Sequence, residues 1–372
     1  MVSDMKLNTF FILLSFLALA GCGSFEDERG TLLTSNQNKD LVNSFEISKD
    51  QAEHFQVTDA KVEEAKTSVK PVQVKEEKVT KKKDKLEKQV KAKQPITIEE
   101  KTKVAPATIV SDSSYPSDYP QELKDYDLKS KALYEQARHI FYQGEQSIMA
   151  ISYLGVTAGY ITITSKNLVK LGEKVAYHYF ARFKSKDAYR YFYWLDDSIE
   201  TFIEKSSLLP IKYSLFQREK KQNVDDLQLF DFKKLKTFHW YKRVKEGNNK
   251  DEKIENYIPR FTQDSFSALQ FVRGLPMKKN DHYEFPVSTR GRAWLLTADV
   301  IGEETITIMN KDIKAIKLRC ETHFPGVLQK SGDINFWYSA DESRRLLKFQ
   351  AKVKIGSING ELVEYAPGTP VK

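Results

Sequence analysis

The chain has 372 residues, 30% of them charged, with a net charge of +8 and a mean hydropathy of −0.53. Two cysteines are too few for a disulfide framework. The apolar run from Phe10 to Ala20 is shorter than the about 20 residues a membrane-spanning helix needs, so it reads as something other than a span.

That run is preceded by Lys6 and ends in Leu19-Ala20-Gly21-Cys22. A basic start, a short apolar core and small residues at the cleavage point make a secretory signal, and the closing four residues form a lipobox. Residues 1–21 are expected to be the signal peptide, with translation starting at Met1 or Met5. Cys22 is expected to become the lipidated first residue, anchored by more than one acyl chain. Gly23 and Ser24 follow it with no aspartate. That resembles Gram-negative lipoproteins sorted to the outer membrane, which implies a periplasm-facing protein held at the cell envelope. Export argues against nucleic acid as a partner despite the basic balance.

From 22 to 124, lysine, glutamate, valine, serine and threonine dominate, aromatic residues are scarce, and no apolar period is sustained. Such a segment cannot bury enough apolar surface to offset its chain entropy, so a disordered tether is expected. About 100 residues of flexible coil span roughly 55 Å r.m.s.. Its lysines, Lys81-Lys82-Lys83 among them, point to an anionic envelope polymer or lipid headgroups as a partner.

Residues 125–143 are expected to form a short helical lead-in, capped by Asp127 with Leu128, Ala132, Ala137 and Ile140 near one face. After Gly144 the apolar period changes to two. Ile148 to Tyr153 and Tyr160 to Thr164 flank Leu154-Gly155 as a hairpin. Val175, Tyr177, Tyr179, Ala181 and Phe183 line one strand face, with His178, Arg182 and Lys184 on the other. Further strands are expected at 198–204, 211–218, 227–232 and 237–245. Asp264 caps a helix over 265–273, stopped by Gly274 and Pro276. Strands resume at 283–288, 293–301, 305–309, 313–324 and 334–339. In the closing pair Leu347, Phe349, Ala351, Val353 and Ile355 alternate with Lys348, Gln350, Lys352 and Lys354. Gly356-Ser357 is read as a two-residue turn before Ile358 to Tyr365. The expected fold is all-β: about a dozen antiparallel strands over 144–366, forming a barrel, half-barrel or sandwich, with one inserted helix and a tail at 367–372.

Several of these residues form a recognisable set. Gly144-Glu145, Tyr153-Leu154-Gly155 with Gly159, Asp197-Ser198-Ile199-Glu200 and Leu208-Leu209-Pro210 come first. Asp264, Ser267-Ala268-Leu269, Arg273-Gly274-Leu275-Pro276, Ser339-Ala340-Asp341, Arg344-Arg345, Gly356-Ser357 and Glu361-Leu362 with Tyr365 follow in order. On these the chain from about Ile140 to Tyr365 resembles the bacterial domain-of-unknown-function family 3108, exported proteins of Gram-negative bacteria. The resemblance implies a β architecture similar to the half-open barrels of periplasmic lipoprotein carriers, and it implies no reaction. The chain departs from the family pattern at Ser265, Asn280 and Leu346-Leu347.

Signatures of chemistry are sparse. The six histidines are scattered without metal-ligand spacing, and no nucleophile elbow or phosphate-binding glycine loop occurs, so no catalytic residue, metal or cofactor is assigned. Asp197 and Glu200 fall on opposite faces of one strand, which counts against a shared metal. Cys320 shares a face with Leu318 and reads as a small buried hydrophobe. Arg273 and Arg345 are candidates to hold an anionic ligand, with Arg344 beside them. Trp240 and Trp294 are candidates to line a cavity, and Tyr189, Tyr191, Phe192, Tyr193, Trp194 and Trp337 add aromatic surface. The expected function is a non-catalytic β domain that binds an amphipathic, lipid-like ligand or an envelope partner. The alternative is a cell-envelope glycan hydrolase working through acidic residues.

Overall fold

A computed structural model describes residues 45, 47–60, 115–189, 194–323, 333–353 and 356–371. The expected signal peptide at 1–21, Cys22, Lys81 to Lys83, most of the aromatic run at 189–194, Lys354 and Ile355 lie outside them. Among the described residues no helix is long and apolar enough to cross a membrane.

The chain opens with α1 (Lys49–His54) and β1 (Val57–Asp59). After Tyr115 come α2 (Gln121–Gln136), β2 (Tyr142–Gln143), β3 (Gln146–Tyr153), β4 (Val156–Ser165), β5 (Val169–Leu171) and β6 (Lys174–Ser185). Next are β7 (Asp196–Glu204), β8 (Pro210–Arg218), β9 (Gln222–Asp231), β10 (Lys236–Lys245), β11 (Lys250–Tyr257), β12 (Gln263–Asp264) and α3 (Ser267–Arg273). The chain then runs through β13 (His282–Thr289), β14 (Arg292–Ile308), β15 (Lys311–His323), β16 (Asp333–Ser339), β17 (Leu346–Lys352), β18 (Ser357–Ala366) and β19 (Thr369–Pro370).

The pairing follows a meander. From β11 to β6 each strand is antiparallel to its sequence neighbour. The ladder continues through β4 and β3. At β3 it jumps to β18, and from there it runs back through β17, β16, β15 and β14 to β13. Joining β3 to β18 brings the first and last long strands together. Residues from strands along this whole ladder, including Met149, Tyr179, Leu215, Phe285, Leu318 and Phe349, meet in one core cluster. A single curled sheet around one core is a barrel-like fold, not a sandwich of two sheets. α3 fills that core with Ala268, Phe271 and Val272, and α2 adds Leu133 and Tyr134.

Alternation assigns the faces as the sequence implies. Tyr177, Tyr179 and Ala181 are buried inside, while His178 pairs with Glu200 and Arg182 with Asp196 on the other face. Leu154 (φ 48°) and Gly155 (φ 81°) both take left-handed backbone, the geometry of a two-residue hairpin turn. Asp264 accepts from the backbone N–H of Phe266 and of Ser267, both at 2.7 Å, just ahead of α3, which starts at Ser267 and not at Ser265 and has Phe266 in the N-cap position.

Four expectations are corrected. The helix begins at Gln121, after Pro120, and Asp127 lies inside it. Asp127 is buried, and its carboxylate accepts the Arg260 N–H at 2.6 Å, a tertiary partner that outweighs a capping role. The strands expected at 293–301 and 305–309 are one strand, β14, bent at a bulge between Val300 and Gly302, where Gly302 has φ 139°. Ser357 already pairs with Lys352 as the first residue of β18, so it is a strand residue and not half of a two-residue turn. Finally, part of the expected tether is ordered: Phe45 and Phe55 are buried, and β1 pairs with β5. An isolated phenylalanine pair carries no period, and only the wall it packs on reveals its role. β11 was missed altogether, because its sequence KDEKIENY lacks an apolar phase.

Gly360 tests the packing of the inner face. A Cβ there would sit 2.1 Å from the Phe349 ring on β17. Gly360→Ala is expected to lower unfolding stability by about 1–3 kcal/mol in urea melts. In the double variant with Phe349→Leu the loss should be less than additive, since the smaller side chain vacates that space.

Candidate functional site

Segments far apart in sequence converge where α3 ends. Arg273, in its last turn, reaches Glu145 in the turn before β3, with Nη1 to Oε2 at 2.7 Å and Nη2 to Oε1 at 2.8 Å. Both side chains are buried, 7% and 6% exposed. Arg273 Nε donates to the Ser343 carbonyl at 2.8 Å, and the Tyr365 hydroxyl donates to Glu145 at 2.9 Å. The guanidinium also lies over the Tyr142 ring. Desolvation works against the Arg273 charge, but the Glu145 bonds outweigh it and hold its pKa above the ordinary value.

The loop from Ala340 to Arg345 lies alongside. Asp341 accepts from the Ser343 N–H and hydroxyl and from the Ser339 hydroxyl, and Ser339 in turn accepts the Arg345 N–H at 2.9 Å. Burial opposes the Asp341 charge, yet these bonds and Arg345 leave its pKa lowered. Arg345 reaches Asp341 with Nη2 at 3.1 Å and stacks its guanidinium 4.8 Å from the Tyr365 ring centre. Arg345 Nε is buried with no hydrogen-bond partner among the described residues.

Between these groups is a cavity of about 30 Å³. Glu145, Arg273 and Arg345 line it together with Ser147, Ser165 and Gln270. That volume holds about one or two water molecules, or a group of similar size. The core below is filled by side chains such as Tyr179 and Tyr338. An acyl chain has no room in this cavity, whereas a single polar headgroup atom has.

The structure thus brings Arg273 and Arg345 together. They differ in kind: Arg273 is spent on Glu145 and Ser343, and Arg345 retains an unused donor. Trp240 and Trp294 lie elsewhere. Trp240 opposes Leu227 in the ladder, on the face away from the main core, and belongs to a separate outer cluster. Strand alternation put it there, since its neighbours His239 and Tyr241 take the inner face. Trp294 opposes Val287 and is half-buried in β14. Sequence reasoning did not assign Glu145, Asp341 or Tyr365 to a site, although each stands in the motifs that carried the family resemblance. Their collinear spacing was the only signal.

Asp197 and Glu200 do lie on opposite faces: Asp197 accepts the Arg218 N–H at 2.8 Å, and Glu200 bonds His178 Nε2 at 2.6 Å. Burial, then the nearby Glu219 charge, raises the Asp197 pKa to about 7. Cys320 is buried beside Leu318, and burial pushes its thiol up to about 12. Among the described residues no group of three or more acidic, histidine or cysteine side chains is arranged to hold a metal.

The family model for the protein of unknown function DUF3108 matches residues 149–363, more than half of the chain. The chain belongs to that family. No curated protein matches it. Among solved structures it is similar to a β-barrel-like protein of the domain of unknown function DUF1849 from Brucella abortus, at 11% identity and a TM-score of 0.42, over 61% of this chain and 99% of that one. A predicted lipoprotein from Parabacteroides distasonis is 9% identical with a TM-score of 0.30, over 62% and 100%. A predicted exported protein with a YmcC-like fold from Bacteroides fragilis is also 9% identical with a TM-score of 0.30, over 61% and 100%. In this DUF3108 domain Arg273 comes from the middle of the matched region, Asp341 and Arg345 from near its end, and Glu145 and Tyr365 from just outside it.

Two outcomes follow for stability. Arg273→Met strands a buried carboxylate and is expected to cost about 3–5 kcal/mol, while Arg273→Met with Glu145→Leu should recover much of the loss. Thermal or urea melts read both. Asp197 has a folded pKa raised above its unfolded value, so the stability it contributes is present below about pH 4 and lost as pH rises through about 7. Asp197→Asn should therefore exceed the wild type by about 1–3 kcal/mol at pH 8 and lose that advantage at pH 4.

Proposed function

We propose that the protein is an exported envelope component, anchored through lipid on Cys22, whose β domain binds an anionic amphipathic molecule head-first and catalyses nothing. One observation carries this reading: a small cavity lined by Glu145, Arg273 and Arg345, with Arg345 Nε buried and without a hydrogen-bond partner among the described residues. A phosphate or carboxylate oxygen is the group an arginine Nε donor serves best. The size of the cavity makes it a headgroup site, with the apolar part of the ligand held outside. The lipobox supports the periplasmic face of the outer membrane as the location, and the lysine-rich stretch supports a second, less specific contact with anionic polymer.

Titration with a monomeric, short-chain anionic phospholipid tests the reading without involving a membrane surface. Binding is expected to weaken about 10- to 100-fold in Arg345→Gln, the loss of one charge-assisted hydrogen bond. The zwitterionic phospholipid of the same chain length should bind weakly to both proteins. Equal binding of the anionic lipid to wild type and variant would overturn this reading, and glycan turnover lost in Asp197→Asn would replace it with the hydrolase.

A further inference from the structure

The outer face of β15 to β18 and β3 carries a polar row that the core does not use. In the ladder Arg319 opposes Asn335, Asn335 opposes Gln350, Gln350 opposes Asn359 and Asn359 opposes Ser152. Their chain neighbours Leu318, Phe336, Phe349, Ile358 and Ile151 point into the core, so the row faces outwards. Five strands about 4.8 Å apart make it roughly 19 Å long. No carboxylate interrupts it, and Gln350 Nε2 donates to Asn359 Oδ1 at 2.9 Å. Two residues along each strand lies a second row, Lys317, Trp337 and Lys348, ending on Glu361. Trp337 is buried in a small outer cluster with Leu347 and Leu362, and its indole N–H donates to Glu304. The Lys317 and Lys348 ammoniums stand 5.0 and 5.4 Å from the ring centre, so cation–π attraction holds both within about 10 Å of each other. Neither forms an ion pair among the described residues. On the other side of the amide row, Lys352 is exposed.

We infer that this face binds an acidic glycan, a sugar chain that carries carboxylates. The inference is independent of the headgroup site. Each amide side chain offers donors and an acceptor together. Sugar hydroxyls answer both, whereas a polyphosphate or a lipid phosphate offers acceptors alone. The row runs across the strands and sets its groups along a line, which suits an extended chain better than a compact molecule. Lys317, Lys348 and Lys352 flank that line and meet the carboxylates. The wider charge has the same sign: from residue 125 onwards the chain has 40 lysines and arginines against 31 aspartates and glutamates. Such an excess draws polyanions to the domain, and the amide row then selects among them.

Calorimetric titration of the full-length protein in detergent with an oligogalacturonate tests this. Lys317→Gln with Lys348→Gln is expected to weaken binding about 10- to 100-fold and to flatten its salt dependence. Asn335→Ala with Gln350→Ala should weaken it about 10-fold and leave the salt dependence unchanged. The lysines cover Trp337, so thermal melts accompany both variants, and the amide variant decides if the lysine variant melts early. Polyphosphate of the same charge should bind more weakly than the glycan and be indifferent to the amide variant. Polyphosphate or anionic phospholipid vesicles bound as tightly as the glycan, with no effect of the amide variant, would make this a plain basic face and overturn the inference. No binding of the oligogalacturonate would also overturn it. Arg345→Gln should bind the glycan as wild type does. A loss there equal to that of the lysine variant would move the glycan to the headgroup cavity and overturn this face, whereas failure of the lipid titration alone leaves it standing.

Discussion

Arg273 and Glu145 meet through two parallel bonds at a place where neither charge reaches much water. Taking both out of solvent is costly, and their attraction offsets that only when the geometry is good and the remaining donors and acceptors are used. They are used here: Ser343 takes Arg273 Nε, and Tyr365 donates to Glu145. The pair therefore ties four segments, the end of α3, the turn before β3, β18 and the loop after β16. These are the segments that close the curled sheet where its first and last long strands join. A shift in any one leaves a buried charge unmatched, which makes the clasp a strong constraint on how the ends of the ladder meet.

The same clasp creates the candidate site. Arg345 is aligned by Asp341, Ser339 and Tyr365, and its Nε is left without a hydrogen-bond partner among the described residues. A satisfied ion pair thus stands beside an unsatisfied donor. Packing elsewhere limits what can be recognised. The inner face is filled with aromatic rings, such as Tyr134 stacked on Phe271 and Phe141 on Tyr177, so among the described residues the curled sheet encloses a packed core.

The inner face also has a polar sector. Asp226 accepts from or bonds His239 Nε2 at 3.0 Å, and Gln228 bridges Thr237 and Ser288. These groups are buried and, His239 Nδ1 apart, hydrogen-bonded, and they join β9 and β10 to β13 across the interior. On the reverse face of the same strands lies the apolar wall on which Phe45 and Phe55 pack. The strands β7 to β10 are therefore buried on both faces, as their burial patterns show, with few exposed positions. That is why their sequences look less cleanly alternating than β6 or β17.

The period of two in Val175 to Phe183 and in Leu347 to Lys352 is a local property, and it determined the strands, their inner faces and the all-β class. The Leu154-Gly155 turn and the Asp264 cap were equally local, because each depends on one or two residues and the backbone beside them. Non-local pairing decided the rest. Nothing in the tract around Phe45 and Phe55 distinguishes it from a spacer until the wall of β6 to β10 exists for it to cover. KDEKIENY becomes β11 because β10 offers it hydrogen bonds, not because of its own apolar phase. Glu145, Arg273, Arg345 and Tyr365 span more than 200 residues, with Tyr365 bonded to Glu145 across a separation of 220. Motif order could place them in a family. Only closure of the sheet brings their charges within bonding distance, since Coulomb attraction and hydrogen bonding act over a few ångströms of space and not along the chain.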